Sequence, residues 1–240
     1  MIFFRKNFVC GASVIGPAHI GKGIANQDSF LCVKKRKFSL FIVSDGMGSK
    51  PFSDDGSKMA CLAVRKEMEL FVKNKDKSLP ITVLLENIIE TWKRLVYPRA
   101  AADCSATCLF VFVTKHKILV ARLGDGMVCL LGHDKEQSIV FADDKKDSFS
   151  NTTYSLSDKS AEREFKYGFF DRALFKGVVL CTDGISADMK LGKELPFAED
   201  VFYEVRKKFF WKRNSFIRNM MKNWPVPHHT DDKTLVIAGL

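Results

Sequence analysis

The sequence predicts a layered α+β protein built from mostly antiparallel strands and a few long helices. Short runs rich in β-branched and aromatic residues recur along the chain, bounded by glycine, proline and aspartate. Two segments instead repeat their apolar residues at helical spacing, and they follow the third strand-like run. An inserted helix pair, a β-meander and a closing helix and strand are typical of sheets covered by helices.

The first half of the chain predicts three strands and two helices. The strands are expected at residues 7–14, 29–34 and 38–44. Glycines between the first two, up to Gly23, predict a loop. The loop after Asp45 is too long for a tight hairpin, which indicates that the chain leaves the sheet there. Helices are predicted from about Ser57 and from about Pro80, the second ending at Pro98.

The second half predicts a meander, a polar segment and a closing helix and strand. Its strands are expected at residues 104–113, 117–123, 127–131, 177–182 and 234–238. Asp125-Gly126 is explained as a two-residue hairpin turn between the second and third of these strands. Residues 143–164 are polar and are expected to form a surface segment that is mobile or functional. Apolar residues from Ala198 to Met221, Phe209 among them, have helical spacing, with a break suggested at Asn214-Ser215.

Length and composition limit the class of protein. At 240 residues, 46% hydrophobic and 28% charged, the chain is most simply one domain spanning residues 1–240. The formal net charge of +10 favours anionic partners. The basic residues are nevertheless dispersed, which weakens the alternative of a nucleic-acid binder, and no nucleic-acid partner is predicted.

Cysteine usage and hydropathy suggest a compartment. Seven cysteines, an odd number and several of them within apolar runs, fit buried free thiols in a reducing environment. No apolar run reaches the length of a transmembrane helix, and the apolar start of the chain meets Arg5-Lys6 at once. A cytoplasmic location without a membrane partner is therefore expected.

Aspartates beside apolar strands are the feature most suggestive of chemistry. They are Asp28, Asp45, Asp125, Asp183 and Asp231. Brought together, such acids would repel one another without cations, and carboxylate and carbonyl oxygens suit magnesium or manganese. Any single Asp-Gly pair has the alternative of an ordinary turn. Two positions argue against that alternative. Asp45 is followed by a long loop and a helix, and Asp183 is followed by no partner strand.

Other catalytic chemistries fit the sequence less well. The histidines His19, His228 and His229 lack the two-histidine helical spacing of a zinc site. Neither Ser44 nor Ser186 stands in a Gly-x-Ser-x-Gly nucleophile elbow, and no phosphate-binding P-loop is present.

Six motifs, in order along the chain, resemble those of the type 2C metal-dependent Ser/Thr protein phosphatases, known as the PPM family. They are Asn26-Gln-Asp28, Val43-Ser-Asp-Gly-Met-Gly48, Cys104-Ser-Ala-Thr107, Leu123-Gly-Asp-Gly126, Cys181-Thr-Asp-Gly-Ile-Ser186 and Asp231-Asp-Lys-Thr234. The resemblance extends from about Gly11 to Leu240. The compact length and the opening Gly11–His19 resemble the bacterial-type branch. The implied fold is two packed antiparallel β-sheets flanked by helix pairs, an α-β-β-α sandwich.

The resemblance also implies an activity. Members hydrolyse phosphoserine and phosphothreonine in proteins by attack of a hydroxide bridging two Mg²⁺ or Mn²⁺ ions, without a phosphoenzyme intermediate. Asp125 with Asp183 would form a third metal position. The implied partners are a phosphorylated protein substrate and a cognate Ser/Thr kinase, and a monomer is expected.

Further roles come from the same resemblance. Asp45 would bridge the two ions, and the Gly46 carbonyl would ligate one of them. Asp183 and Asp231 would ligate the other ion, and Asp28 would hold metal-bound water. On this basis Asp45, Asp183 and Asp231 are the expected catalytic acids.

The sequence departs from the family pattern at two places. Gly23 stands where many members carry an arginine that binds the substrate phosphate, so His19 and Lys22 become candidates for that role. Met47 follows the Asp-Gly pair where eukaryotic members use a histidine as general acid, which leaves His19 or metal-bound water to protonate the leaving group. The polar segment 143–164 is expected to determine substrate choice.

The missing arginine leaves one alternative open. The chain could be a pseudophosphatase or regulatory phosphoprotein-binding module on the same fold, without turnover.

Overall fold

Two five-stranded antiparallel sheets form the centre of the computed structural model, which describes residues 7–74, 79–142 and 153–240. The first sheet contains, in spatial order, β1 (Phe8–Val14), β10 (Lys233–Gly239), β9 (Phe175–Cys181), β6 (Met127–Gly132) and β7 (Ile139–Phe141). The second contains β2 (Ser29–Lys34), β3 (Ser39–Ser44), β4 (Cys108–Val113), β5 (Lys117–Leu123) and β8 (Lys166–Asp171).

Helices cover the outer face of each sheet. The pair α2 (Ser53–Lys73) and α3 (Ile81–Val96) packs on the second sheet, and the pair α6 (Glu194–Lys207) and α7 (Arg213–Lys222) packs on the first. Three short helices are α1 (Pro17–Lys22), α4 (Ala161–Glu164) and α5 (Asp183–Ser186). The layers confirm the α+β class and the α-β-β-α sandwich. Within the described ranges, no helix combines the length and apolarity needed to cross a bilayer.

Alternation along the strands divides the apolar residues between layers. On β3, Leu40 and Ile42 pack against the α2–α3 pair, whereas Phe41 and Val43 point between the two sheets. Successive strand side chains point to opposite faces, so a strand buried on both sides must be apolar throughout. This explains why the middle of β3, Leu40–Val43, is apolar at every position.

A glycine contact joins the helix pair. The Trp92 Nε1–H on α3 donates to the Gly56 carbonyl on α2 at 3.0 Å. A Cβ on Gly56 would lie 1.8 Å from the Cys104 carbonyl oxygen, so only glycine allows this backbone approach. The buried residues of α3 repeat at helical spacing, as the sequence predicted.

The glycine-rich segment before β2 differs from the prediction of a loop. Residues 17–22 form α1, because Pro17 suits the first helical turn and the Ile20 N–H donates to the Gly16 carbonyl at 3.0 Å. Gly23 ends the helix in the left-handed conformation, with φ of 66°.

The hairpin predicted at Asp125-Gly126 is wrong. β5 belongs to the second sheet and β6 to the first, so this turn carries the chain across the sandwich. Gly124, at φ +95°, makes the turn in a conformation that favours glycine. A Cβ on Gly126 would lie 2.5 Å from the Cys181 carbonyl oxygen.

Other boundaries also differ from prediction. α2 begins at Ser53 instead of Ser57, and β4 begins at Cys108 after a 3₁₀ turn at Ala101–Cys104. The break in the helical segment 198–221 falls between α6 and α7, ahead of Asn214-Ser215, and contains a 3₁₀ turn at Phe210–Lys212. The strands β7 and β8 were not predicted, because both lie at sheet edges with exposed positions and lack a strong apolar pattern.

The predicted polar segment lies partly outside the described residues, which resume at Thr153. From there the chain is not wholly a surface segment. Leu156 and Ala161 are buried against the α2–α3 pair.

Candidate metal centre

Three aspartates from separate parts of the chain meet at one end of the sandwich. Asp45 follows β3, Asp125 lies in the crossing between the sheets, and Asp183 follows β9. One carboxylate oxygen from each lies within 4.8 Å of the others. We refer to these three residues as the acid cluster. Such convergence of carboxylates is the donor set that Mg²⁺ and Mn²⁺ prefer.

Asp28 adjoins the acid cluster through Asp45. It is buried, its carboxyl group contacts that of Asp45, and its Oδ2 accepts a hydrogen bond from Thr182 Oγ1 at 2.7 Å. Its buried Oδ1 has no hydrogen-bond donor in the part of the chain that the structure describes. A buried carboxylate oxygen without a donor is costly, and a cation or an ordered water would satisfy it.

The pKa values reflect this crowding. Burial, followed by the charges of Asp125, Asp231 and Asp28, raises the pKa of Asp183 to about 8. Burial, together with the Asp28 and Asp183 charges, raises the pKa of Asp45 well above its usual value. Burial also raises the pKa of Asp28 to about 6. Carboxyl groups held this close keep protons that divalent cations would replace, so these residues fit a metal centre.

Hydrogen bonds to the residues just before β4 hold Asp45 in position. The Asp45 N–H donates to Thr107 Oγ1 at 2.9 Å, and the Thr107 N–H donates back to the Asp45 carbonyl at 2.8 Å. Gly46 pairs with Ala106 in an isolated bridge. A Cβ on Gly46 would lie 2.4 Å from the Ser53 carbonyl oxygen, so the residue after Asp45 must be glycine.

Thr182 joins the central strands of the first sheet beneath the acids. Its N–H donates to the Thr234 carbonyl at 3.2 Å, and its Oγ1 accepts from the Thr234 N–H at 3.1 Å while donating to Asp28. Asp183 therefore follows a residue whose N–H and hydroxyl are both hydrogen-bonded, which fixes the backbone leading to the carboxylate. Sequence reasoning assigned no role to Thr107 or Thr182, although both lie within the motifs it identified.

The doublet Asp231-Asp232 divides into an exposed and a buried acid. Asp231 is exposed outside the acid cluster, and its charge raises the pKa values of Asp45 and Asp183. Asp232 is buried and accepts hydrogen bonds from the N–H groups of Gly16 and Gln27, each at 2.6 Å. Sequence reasoning missed Asp232, whose signal was the doublet itself. It ties the segment before Asp28 to the start of β10.

The candidate phosphate-binding residues lie on α1. His19 Nδ1 is 2.9 Å from Asp232 Oδ1, close in distance but not aligned as a hydrogen bond. Lys22 is exposed at the end of the helix and forms no ion pair with any described residue. The structure thus brings His19 to the buried acid of the doublet and leaves Lys22 in solvent.

Asp125 is held from two sides of the crossing. Thr153 Oγ1 donates to its Oδ2 at 2.7 Å, and Ser186 Oγ donates to its backbone carbonyl at 3.3 Å. The described end of the polar segment therefore reaches the acid cluster. A cavity of about 1140 Å³ between the β2–β3 turn and the end of α2 contains none of these acids.

An α-β-β-α sandwich with carboxylates gathered at its strand ends defines a class of candidate divalent-metal enzymes. The family model described as Protein phosphatase 2C matches residues 15–221, and the chain belongs to that family. The sequence has no significant match among curated proteins.

Solved structures share the fold at low sequence identity. A bacterial serine phosphatase matches with a TM-score of 0.70 and 13% identity over 97% of both chains. The serine/threonine phosphatase Stp1 from Staphylococcus aureus matches with a TM-score of 0.66 and 13% identity over 98% of this chain and 95% of that one. The catalytic domain of the serine threonine protein phosphatase PstP, in complex with two manganese ions, matches with a TM-score of 0.60 and 13% identity over 97% of both chains.

Proposed function

We propose that the protein is a metal-dependent phosphatase that removes phosphate from phosphoserine and phosphothreonine in protein substrates. The observation that supports this most directly is the acid cluster, with the donor-free Asp28 Oδ1 beside it. Family membership and the serine/threonine phosphatases of the same fold support the reaction class. The two manganese ions of PstP support Mn²⁺ or Mg²⁺ as the cofactor.

The residues that would hold the cations are the acid cluster, assisted by Asp28, Asp231 and the Gly46 carbonyl. Bound there, divalent cations supply charge compensation for the phosphoryl oxygens and lower the pKa of a nucleophilic water. The chain contributes rigidity, because Thr107 and Thr182 fix the backbone and side chains around the acids. Asp28 Oδ1 is available to accept a hydrogen bond from the attacking water.

Direct attack by water is favoured over a covalent phosphoenzyme. The nearest thiol along the chain, Cys181, is buried, and burial raises its pKa well above the usual value, so its thiolate is scarce. The hydroxyls of Thr107 and Thr182 are engaged with Asp45 and Asp28. The side chains around the acids therefore serve to orient the acids and to balance their charge. Water remains as the nucleophile.

His19 is the better candidate for the substrate phosphate or the leaving group. A positive charge on its ring would be stabilised by buried Asp232. His19 also lies close in sequence to the segment leading to Asp28. Lys22 would add a second positive charge, on an exposed side chain at the end of α1. The expected partners are phosphorylated proteins and the kinase that phosphorylates them.

Phosphatase assays test the proposal. Hydrolysis of p-nitrophenyl phosphate and of a phosphothreonine peptide is measured with Mn²⁺, with Mg²⁺ and with chelator. We expect activity only with metal, and Asp45→Asn to lower it by roughly 100-fold or more. Asp134→Asn, an exposed acid that follows β6 at the opposite end of the strand from Asp125, is the matched control and should retain wild-type activity.

Equal rates for wild type and Asp45→Asn would refute the enzyme assignment. Calorimetric titration with Mn²⁺ then distinguishes the alternative. Tight binding of Mn²⁺ and of a phosphopeptide without turnover would indicate a regulatory phosphoprotein-binding module, which the replacement of the expected arginine by Gly23 favours.

A further inference from the structure

The turn between α6 and α7 exposes three consecutive aromatic side chains. Phe209 is 54% exposed, Phe210 73% and Trp211 61%. The Phe209 and Trp211 rings stack with centroids 5.0 Å apart, and Phe210 meets Trp211 edge-on at 4.8 Å. We call residues 209–211 the aromatic turn. Contiguous exposed apolar groups of this size mark an interaction surface.

The chain around the aromatic turn is strongly basic. Residues 205–230 contain no aspartate or glutamate, and their seven basic residues are Arg206, Lys207, Lys208, Lys212, Arg213, Arg218 and Lys222. Three of them have structural partners: Arg213 is buried over the Phe8 ring, Lys207 pairs with Glu204 at 2.6 Å, and Lys208 lies over the Phe216 ring and 3.8 Å from Glu204. Lys212 is exposed and forms no ion pair within the described ranges.

The basic character continues onto the neighbouring strand ends. Phe210 and Arg213 share the wall of a small cavity with Lys34, at the end of β2. Lys34 begins the basic turn Lys34–Lys37, which lines a second cavity together with Lys115 and His116. Asp171 is the acidic residue on that second wall. An exposed aromatic turn thus borders a basic surface that extends over two hairpin ends.

This surface lies away from the acid cluster. On β1, Phe8 pairs with Gly239 at one end and Val14 pairs with Lys233 at the other. Arg213 packs on Phe8, whereas Asp231 precedes Lys233. A seven-residue strand is roughly 20 Å long. A partner bound at the aromatic turn would leave the acid cluster open to solvent.

We propose that the aromatic turn and its basic surroundings bind an anionic membrane surface. The three rings would enter the headgroup region, and Lys212 with the neighbouring cations would meet the lipid phosphates and carboxylates. This peripheral association needs no membrane span. It adds a membrane partner that the sequence did not predict, and it does not depend on the phosphatase activity.

The ring arrangement favours lipid over nucleic acid. Base stacking uses open aromatic faces, and the stack of Phe209 on Trp211 covers one face of each ring. Trp92 and Trp224 donate their indole N–H groups to protein acceptors, whereas the Trp211 indole has no acceptor among the described residues. Tryptophan is one of the two side chains, with tyrosine, that are enriched at membrane–water interfaces.

Vesicle flotation of the full chain tests the proposal. Vesicles of phosphatidylcholine alone are compared with vesicles containing phosphatidylserine. We expect binding to the anionic vesicles to be at least about tenfold stronger, and to weaken with salt. The double substitution Phe210→Ser/Trp211→Ser should reduce it by at least about tenfold, and Lys212→Glu by roughly fivefold or more.

Two matched control variants test whether vesicle binding is specific to this surface or is non-specific. Tyr97→Ser removes an aromatic side chain, 79% exposed, from the end of α3, and Lys66→Glu reverses an exposed charge on α2. Both should bind as wild type does. Thermal denaturation verifies that each variant is folded.

Tryptophan fluorescence gives a second readout. Anionic vesicles should shift the emission to shorter wavelength, and the shift should disappear in Trp211→Phe. The proposal is overturned if the aromatic substitutions leave vesicle binding unchanged, or if wild type does not distinguish the two vesicles. It is also overturned if a single-stranded oligonucleotide or an acidic peptide displaces the vesicles at stoichiometric concentration.

Discussion

Replacing Asp183 by asparagine is expected to stabilise the metal-free protein at neutral and alkaline pH. Burial and neighbouring carboxylates raise the pKa of Asp183 to about 8, from a usual value of 3.8. Between these values the unfolded carboxyl is ionised while the folded one keeps its proton, so folding takes up a proton. The free energy of unfolding therefore falls as pH rises through this window, and the loss is complete above the folded pKa.

The magnitude follows from the pKa difference. Each unit corresponds to about 1.4 kcal/mol, so a displacement from 3.8 to about 8 represents on the order of 6 kcal/mol. Asp28 and Asp45 titrate with Asp183, and the loss is shared among them. Asparagine removes the charge but remains a buried polar group. A net gain of on the order of 3 kcal/mol near pH 8 is expected for Asp183→Asn.

Urea unfolding in the presence of chelator, from about pH 5 to about pH 8, measures the effect. Wild type should lose stability relative to Asp183→Asn across this range, and Asp134→Asn should follow wild type. Added Mn²⁺ should reverse the order, because it binds the folded wild type more tightly. Parallel pH profiles for wild type and Asp183→Asn would refute the reasoning that the carboxylates are crowded.

Three further predictions concern the surroundings of the site and the core. Thr182→Val removes the donor to Asp28 and should lower the free energy of unfolding by about 1–3 kcal/mol and weaken Mn²⁺ binding in calorimetry; unchanged binding would contradict its role. Gly56→Ala places a Cβ 1.8 Å from the Cys104 carbonyl oxygen and should cost more than about 3 kcal/mol in thermal melts, whereas Gly21→Ala, with no atom within 4 Å, should be tolerated. The seven cysteines are free, and burial raises the pKa of four of them to about 12. A thiol reagent should therefore label the native protein slowly and should label all seven cysteines after denaturation. Rapid labelling of the native protein would indicate an open core.

Local patterns were sufficient for much of the fold. The apolar run before Asp45 predicted a strand because a strand buried on both faces is apolar at successive positions. The helical spacing of α3 predicted its buried face for the same kind of reason, since both signals depend on residues within a few positions of one another. The motif order was likewise readable along the chain.

Long-range pairing was not readable in this way. Asp125-Gly126 has the local signature of a hairpin, yet it joins different sheets, because strand partners are selected by the packing of the whole sandwich. Asp232 resembles its neighbour in sequence, and only the backbone N–H groups of Gly16 and Gln27 distinguish it as the buried member of the doublet. Phe209 fits a helical apolar face by spacing, but it lies between helices and is exposed.

The amino-acid sequence by itself determined most of the central strands and the long helices, the resemblance to the family, and which aspartates were candidates for a cation. Tertiary structure decided which sheet each strand joins, which acids lie within 4.8 Å of one another, and that the aromatic turn faces solvent. The physical reason is range. Propensity and periodicity act over a few residues, whereas Asp28 meets Thr182 across 154 positions of chain, where only the packed sheets bring them together.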